Sequence, residues 1–393
     1  MKTLIVGSGA SGLVLAIKLK INNSKHQIII IDKNNKPGRK LSIAGNGRGN
    51  IGNTKLSSCY YRDKDISDLI FNKYNFDKQC EFFENLGIKT KIINELCYPF
   101  SESAKAFVDY LFEYAINHGV EFKFAEELLD YENNGKISVK TNKNTYMVDN
   151  LVFATGGKSY AKLGSDGTIF NILNDHGYVI NKMYPGLCPI KTKETTKVIT
   201  GLRLKCKVNL FLDDEEYYEE TGEVLFKDDG LSGIAIFNTS SIIARNINNF
   251  KNARIILDLF PNMTMEQLEN EFMKKATNSY FNILKGYFVP SIANYILKRI
   301  NFNIDKIISS KQDIKSLANI CKNLTFTYLD LYDFENAQVT IGGLSTTNLT
   351  QNLSSKIENS VYFIGEIIDN DGLCGGFNLM WAFGSALYLG DIL

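Results

Sequence analysis

The chain has 393 residues, 44% of them hydrophobic, enough to bury a large core and long enough for two or three domains. Its 44 lysines and arginines nearly cancel 43 aspartates and glutamates, so no global field draws it to nucleic acid or to an anionic membrane. Seven scattered cysteines, no Cys-x-x-Cys pair and three histidines exclude a zinc-finger set; no metal is expected, and a reducing cytoplasm is. The N-terminus reaches glycine after three apolar residues, too short for a signal-peptide core, and no apolar run approaches the roughly 18 residues of a membrane span.

Residues 3–6 read as a buried strand, 10–21 as a helix, and 27–31 as four consecutive isoleucines after a glutamine, ending at Asp32. An unbroken isoleucine run fits a parallel strand covered on both faces, which makes this a βαβ unit. In the connecting Gly7-Ser8-Gly9-Ala10-Ser11-Gly12, Gly7 permits the tight turn, Gly9 lets backbone approach a pyrophosphate, and Gly12 lets helix pack on strand. Ala10 and Ser11 then open a helix whose free N–H groups face phosphate. Asp32, with Lys33 beside it, stands where a carboxylate accepts the hydroxyls of an adenosine ribose. This unit alone fits an NAD dehydrogenase as well as an FAD enzyme.

The next loop, residues 37–53, is more specific. Gly45, Gly47 and two further glycines expose backbone for close ligand approach, Arg39, Lys40 and Arg48 offer positive charge, and Asn50 lies among them. Helices are expected near 66–86 and 102–118, strands near 120–124 and 136–148, and a buried strand at 151–154. That strand ends at Thr155-Gly156-Gly157, a turn expected near the cofactor, with Lys158, Ser159 and Tyr160 following. Tyr160 is the one candidate proton donor, without assigned partners. His26, His118 and His176 are read as structural.

From about Pro185 the pattern changes. Residues 186–262 read as a β-rich inserted subdomain and 263–329 as a helical one, with helices across 264–322 and most of the aromatic residues committed to core. After about 330 the strand-to-glycine style returns: a strand at 361–364, then Gly365-Glu366, Asp369, and a helix from Gly376 onwards. Glu366 or Asp369 can accept a ribitol hydroxyl. The amides around Gly375, Gly376, Phe377 and Asn378 can face a flavin edge that becomes negative on reduction. Cys374, inside this turn, has no second cysteine near it in sequence and is read as space-filling.

These stretches, together with Gly164-Ser165-Asp166-Gly167 and Gly230-Leu231-Ser232-Gly233, resemble the BaiN/YhiN-like bacterial flavoproteins, NAD(P)/FAD-dependent or aminoacetone-oxidase-like oxidoreductases. The resemblance covers nearly the whole chain. Two positions depart from it: Asn46 stands where the family usually has glycine, and Gly49 where it usually has cysteine. The resemblance implies an α/β fold in which a discontinuous Rossmann-like FAD-binding domain, 1–185 and 330–393, carries an inserted β-barrel-like plus helical domain. It implies FAD as cofactor, with NAD(P)H as a transient electron donor docking at the flavin, since no second dinucleotide motif is visible.

The expected activity is reduction of an activated C=C in a small organic substrate by hydride transfer at flavin N5. Amine oxidation with O₂ is the alternative within the same chemistry. A flavin-dependent tRNA modifier and a non-catalytic flavin-binding protein are alternatives of other classes, although the charge balance leads to no nucleic-acid partner being expected.

Overall fold

The computed structural model describes residues 1–275, 279–304, 307 and 310–393. The chain forms two compact units, Met1–Pro185 with Phe334–Leu393, and Gly186–Asp333.

In the first unit the order is β1 (Lys2–Val6), α1 (Ala10–Asn22), β2 (Gln27–Asp32), β3 (Gly52–Asn53), α2 (Lys64–Lys73), α3 (Phe76–Asn85), β4 (Thr90–Ile93), β5 (Leu96–Pro99) and α4 (Ala104–Asn117). Then come β6 (Glu121–Phe124), β7 (Leu128–Asn133), β8 (Ile137–Thr141), β9 (Thr145–Val148), β10 (Asn150–Phe153), α5 (Ile169–Asp175) and β11 (Ile180–Gly186). The helix expected across 66–86 is two helices, because Asn75 ends one turn and caps the next by accepting from the Lys78 N–H. The stretch expected as one strand at 136–148 is the hairpin β8–β9.

The second unit holds β12 (Ile190–Thr192), β13 (Arg203–Leu212), β14 (Glu215–Lys227), β15 (Gly230–Ser232), α6 (Ile234–Asn246), β16 (Ala253–Asp258), α7 (Met265–Met273), α8 (Tyr280–Lys285), α9 (Pro290–Arg299), α10 (Lys311–Lys322) and β17 (Leu324–Leu331). Its strands close into a six-stranded barrel in the order β12-β15-β14-β13-β16-β17. Closure removes the edges that so acidic a hairpin would leave unpaired. Inward positions such as Cys206, Val208 and Leu210 alternate with exposed or half-buried neighbours. Helices α7 to α10 run between the neighbouring barrel strands β16 and β17. The helical expectation over 264–322 is met by these four, and its residues 276–278, 305–306 and 308–309 lie outside the described residues.

The chain returns through β18 (Val339–Leu344), β19 (Val361–Phe363) and α11 (Phe377–Gly390). A five-stranded parallel sheet, β19-β10-β1-β2-β6, is the centre of the first unit. Ile28 to Ile31 are at most 5% exposed, so the isoleucine run is covered on both faces as its continuity implied. From β1 the chain moves through α1 to β2 on one side, while β10 lies on the other. The C-terminal end of β1 is therefore the point where strand order reverses, the place in such sheets where ligands find an open crevice. β11 and β18 form a separate two-stranded sheet beside it.

Candidate functional site

The turn after β1 sits at that crevice. Gly7 has φ +104°, and a Cβ on it would lie 2.6 Å from the Ala154 carbonyl oxygen at the end of β10. A Cβ on Gly12 would be driven into the Gly7 carbonyl oxygen, so Gly12 is fixed by helix–strand packing. Gly9 differs: the nearest atom to a Cβ there is 3.9 Å away, leaving an open approach at the helix start. Gly9 is the N-cap of α1, which has no side-chain cap and no acid in its first turn, so the N–H groups that follow Ala10 remain available to an anion. Ser11 packs against Gly365 from the far end of the chain.

Asp32 closes β2 with one carboxylate oxygen accepting from the Ser8 N–H (2.8 Å) and hydroxyl (2.5 Å), and the other from the Asn34 backbone N–H (2.8 Å) and amide. Arg39 donates to the Asn34 side-chain Oδ1 at 2.6 Å, and Lys33 pairs with Asp166 at 2.5 Å. The 161–168 loop is thereby tied to the end of β2. Asn34, absent from the sequence-derived set, joins Asp32, Arg39 and the Leu163 carbonyl.

Glu366 follows Gly365 at the end of β19 and accepts from Lys40 Nζ at 3.0 and 2.8 Å and from the Thr340 N–H at 3.0 Å. It lies against the Thr155-Gly156-Gly157 turn: a Cβ on Gly157 would meet the Thr340 hydroxyl and come within 3.3 Å of a Glu366 oxygen. Thr340 is, after Asn34, a second residue that sequence reasoning missed. Its hydroxyl accepts from the Lys158 N–H at 2.7 Å and the Ser159 N–H at 3.1 Å while its own N–H donates to Glu366, so one residue links the glycine turn to the acid. Tyr160 has φ +62°, and Lys40 Nζ stands 6.0 Å from its ring centre. The Thr155 hydroxyl oxygen is buried with no hydrogen-bond partner among the described residues.

The third component is the start of α11. Gly375 and Gly376 have φ of +116° and +96°, and a Cβ on Gly376 would lie 2.6 Å from the Gly52 carbonyl oxygen of β3. Asn53 donates to the Gly375 carbonyl at 3.0 Å, Tyr61 to the Phe377 carbonyl at 2.6 Å, and Asn378 holds the Gly372 backbone through both its amide atoms. With the Asn50 amide nitrogen turned towards them, the Gly52 and Cys97 carbonyls accept from it at 2.9 and 3.3 Å. Like α1, α11 has a glycine N-cap, no side-chain cap and no acid in its first turn. The Phe377 ring itself is buried between Tyr60 and Tyr61.

Two of the charged residues are otherwise engaged. Arg48 pairs with Glu102 and lies over the Tyr98 ring; Glu102, also paired with Lys91, is held below the usual carboxylate range by those two cations. Gly45 and Gly47 beside it are exposed turn residues, with φ of +57° and +84°. Asp369, whose side chain is 1% exposed, accepts from Arg62 (2.5 Å), Asn181 (2.6 Å) and the Gly342 N–H (3.0 Å). It fastens the 60s loop to β11 and β18, and burial keeps it from a ligand. An open groove of about 460 Å³ lies beside it, lined by Arg62, Lys64, Asn181, Ser345 and Thr347 among others. Among the described residues no helix is long and apolar enough to cross a membrane.

Residues 1–392 match the HI0933-like protein Rossmann domain family. The chain is 28% identical to the 3-dehydro-bile acid delta(4,6)-reductase of Clostridium scindens, over 98% of this chain and 97% of the relative. It is 25% identical to the ribosomal RNA dihydrouridine synthases of Haemophilus influenzae and Escherichia coli, over 98% of this chain and 96% and 95% of theirs. Among solved structures, a point mutant of the E. coli quinol fumarate reductase subunit FrdA superimposes with a TM-score of 0.50 at 12% identity, covering all of this chain and 70% of that one; this likeness concerns the fold alone. With a match running from the first strand through the last helix, the chain belongs to the HI0933-like Rossmann-domain family of flavin-dependent oxidoreductases.

Proposed function

We propose that the first unit binds FAD and that the enzyme reduces a C=C bond conjugated to a carbonyl, with NAD(P)H as the transient donor of electrons. The observation that carries this reading is the pair of uncapped, glycine-initiated helices α1 and α11, packed in one unit that also holds Glu366 against the 155–157 turn. An uncapped N-terminus is stable when an anion completes it. A pyrophosphate suits α1, and the N1/O2 edge of a flavin suits α11. The orphaned Thr155 hydroxyl, in the turn between these elements, fits a further hydrogen-bonding group of the same cofactor.

In this reading Gly7 to Gly12 receive the pyrophosphate, Asp32 the adenosine ribose, and Glu366, whose side chain is 22% exposed, rather than the buried Asp369 a ribitol hydroxyl. Bound FAD supplies a hydride-accepting and hydride-donating centre at its N5. The protein's part is electrostatic and positional: the α11 N–H groups stabilise negative charge at the flavin edge, Lys40 balances Glu366, and Thr340 fixes that carboxylate. Tyr160, with Lys40 Nζ 6.0 Å from its ring centre and its backbone left-handed, is the candidate for proton delivery.

The substrate class follows from the relatives' names, since a Δ4,6-dienone and a uracil ring share a C=C conjugated to a carbonyl. A small enone is the first reading, because the bile-acid reductase is the more similar of the two kinds. A uracil in RNA is the second, favoured by the two dihydrouridine synthases matched along the full chain. Anaerobic mixing with NADH and NADPH, followed by addition of an enone or of rRNA, tests both. Bleaching of the flavin by a nicotinamide and recovery of colour on adding one of the acceptors supports the reading; no bleaching by either nicotinamide contradicts it, and bleaching by small amines instead would make the enzyme an amine oxidase.

A further inference from the structure

Cys80 and Cys97 belong to no spacing motif, yet the fold brings their sulfurs to 3.8 Å. Cys80 lies half-buried on α3, and Cys97 is 1% exposed on β5. The residue paired with Cys97 across the sheet is Gly52, whose carbonyl meets Gly376 at the start of α11. The two sulfurs thus stand one strand behind the turn 375–377.

We propose that Cys80 and Cys97 are a redox-active dithiol that a peroxide closes into an intramolecular disulfide. The hydrogen bond between the two thiols, joined by one from Thr90, draws Cys97 below its ordinary range against the opposing effect of burial and pushes Cys80 up, so the attack is written with Cys97 as the thiolate. Its thiolate attacks one oxygen of hydrogen peroxide: an S–O bond forms, the O–O bond breaks and hydroxide leaves. The Cys80 sulfur then attacks the Cys97 sulfenic acid, forming S–S and expelling water that carries the Cys80 proton. The two thiols lose two electrons, the peroxide gains them, and two waters result. Closure brings the sulfurs from 3.8 Å to the bonding distance of about 2.05 Å. By contrast, burial pushes Cys188 up to about 11 and Cys206 up to about 12, which leaves those thiols inert near neutrality. The bond staples α3 to β5 and, through Gly52, stiffens the wall behind the α11 turn. None of this depends on the identity of the cofactor.

The test is peptide mapping of the purified full chain after hydrogen peroxide and an alkylating quench, without reductant. Trypsin cuts at Lys89 and Lys91 between the two cysteines, so a disulfide leaves two peptides linked. The expected result is a mass loss of about 2 Da, a Cys80–Cys97 linked pair released by dithiothreitol, and persistence of the link in Cys59→Ser. In Cys80→Ser the linked pair is absent and Cys97 proceeds to sulfinic acid. Alkylation of both thiols after peroxide, or oxidation confined to the exposed Cys59, would overturn the proposal on the wild-type protein alone.

Discussion

The two glycine turns of the first unit resemble each other in sequence and differ in what enforces them. At Gly7 to Gly12 the constraint is local: the glycines are required by backbone a few residues away and by the neighbouring strand end. At Gly365 and Gly375–Gly376 it is assembled from afar, with Ser11, Gly52, Asn53 and Tyr61 each supplying one contact. The first turn is a rigid product of a βαβ unit. The second holds its shape only while the whole unit is folded, which suits an element whose amides must be aimed at one edge of a ligand.

The comparison breaks most visibly at Gly12. Gly12→Ala places a methyl group on the Gly7 carbonyl and is expected to cost about 3 kcal/mol or more, read as loss of soluble protein or a collapse of the melting temperature together with loss of bound flavin. Gly376→Ala, forced to a φ of +96° against the Gly52 carbonyl, is expected to cost about 2 kcal/mol. Its flavin loss should exceed its loss of fold, which circular dichroism and flavin content separate. Equal loss of both would make the second turn as structural as the first.

Thr340→Val keeps the shape but leaves the Lys158 and Ser159 N–H groups without their acceptor, at about 1–3 kcal/mol. The hydrogen bond from the Thr340 N–H to Glu366 survives the substitution, so if the turn that the hydroxyl holds lies against the cofactor, flavin affinity falls more in this variant than stability does, and equal falls would make the hydroxyl structural only. The smallest effect is expected at the far end of α11. There burial raises the Asp391 pKa, but hydrogen bonds from Lys18, Lys73 and Tyr74 outweigh it and hold the carboxyl at about 2. Because this pKa lies below the unfolded value of about 3.9, the stabilisation is complete above pH 4 and disappears as pH falls towards 2. Asp391→Asn should therefore be about 1 kcal/mol less stable at neutrality, equal to wild type in strong acid, and unchanged in flavin binding.

What was legible follows the same division. The isoleucine run ending at Asp32 and the glycine spacing before it are local signals, and they identify the parallel sheet and its crevice. The pattern over 198–230 likewise points to antiparallel strands, and their closure into a barrel is implied only by the resemblance. Asp369 reads, with Glu366, as one of two candidate ribitol acceptors because both are acids beside a strand that ends in glycine; its partners Arg62 and Asn181 are far away in sequence, and no spacing announces them. Arg48 carries visible charge in a glycine-rich loop, but the sequence does not reveal that Glu102 takes it. Thr340 lies in an unremarkable strand whose only signal is the Gly342–Gly343 pair after it. Helix α6 was read into the β-rich block because its isoleucines at 234, 236, 242 and 243 have strand-like composition; Gly233, with φ +105°, starts a helix instead.

The measurement that bears most directly on the account is a titration of FAD into flavin-free protein, followed by quenching of flavin fluorescence, for the wild type and for Glu366→Gln and Gly376→Ala. The account predicts saturation at about one FAD per chain, in keeping with the single dinucleotide turn, and affinities at least tenfold weaker in both variants. No saturable binding of FAD, or affinities unchanged in both variants, would contradict it.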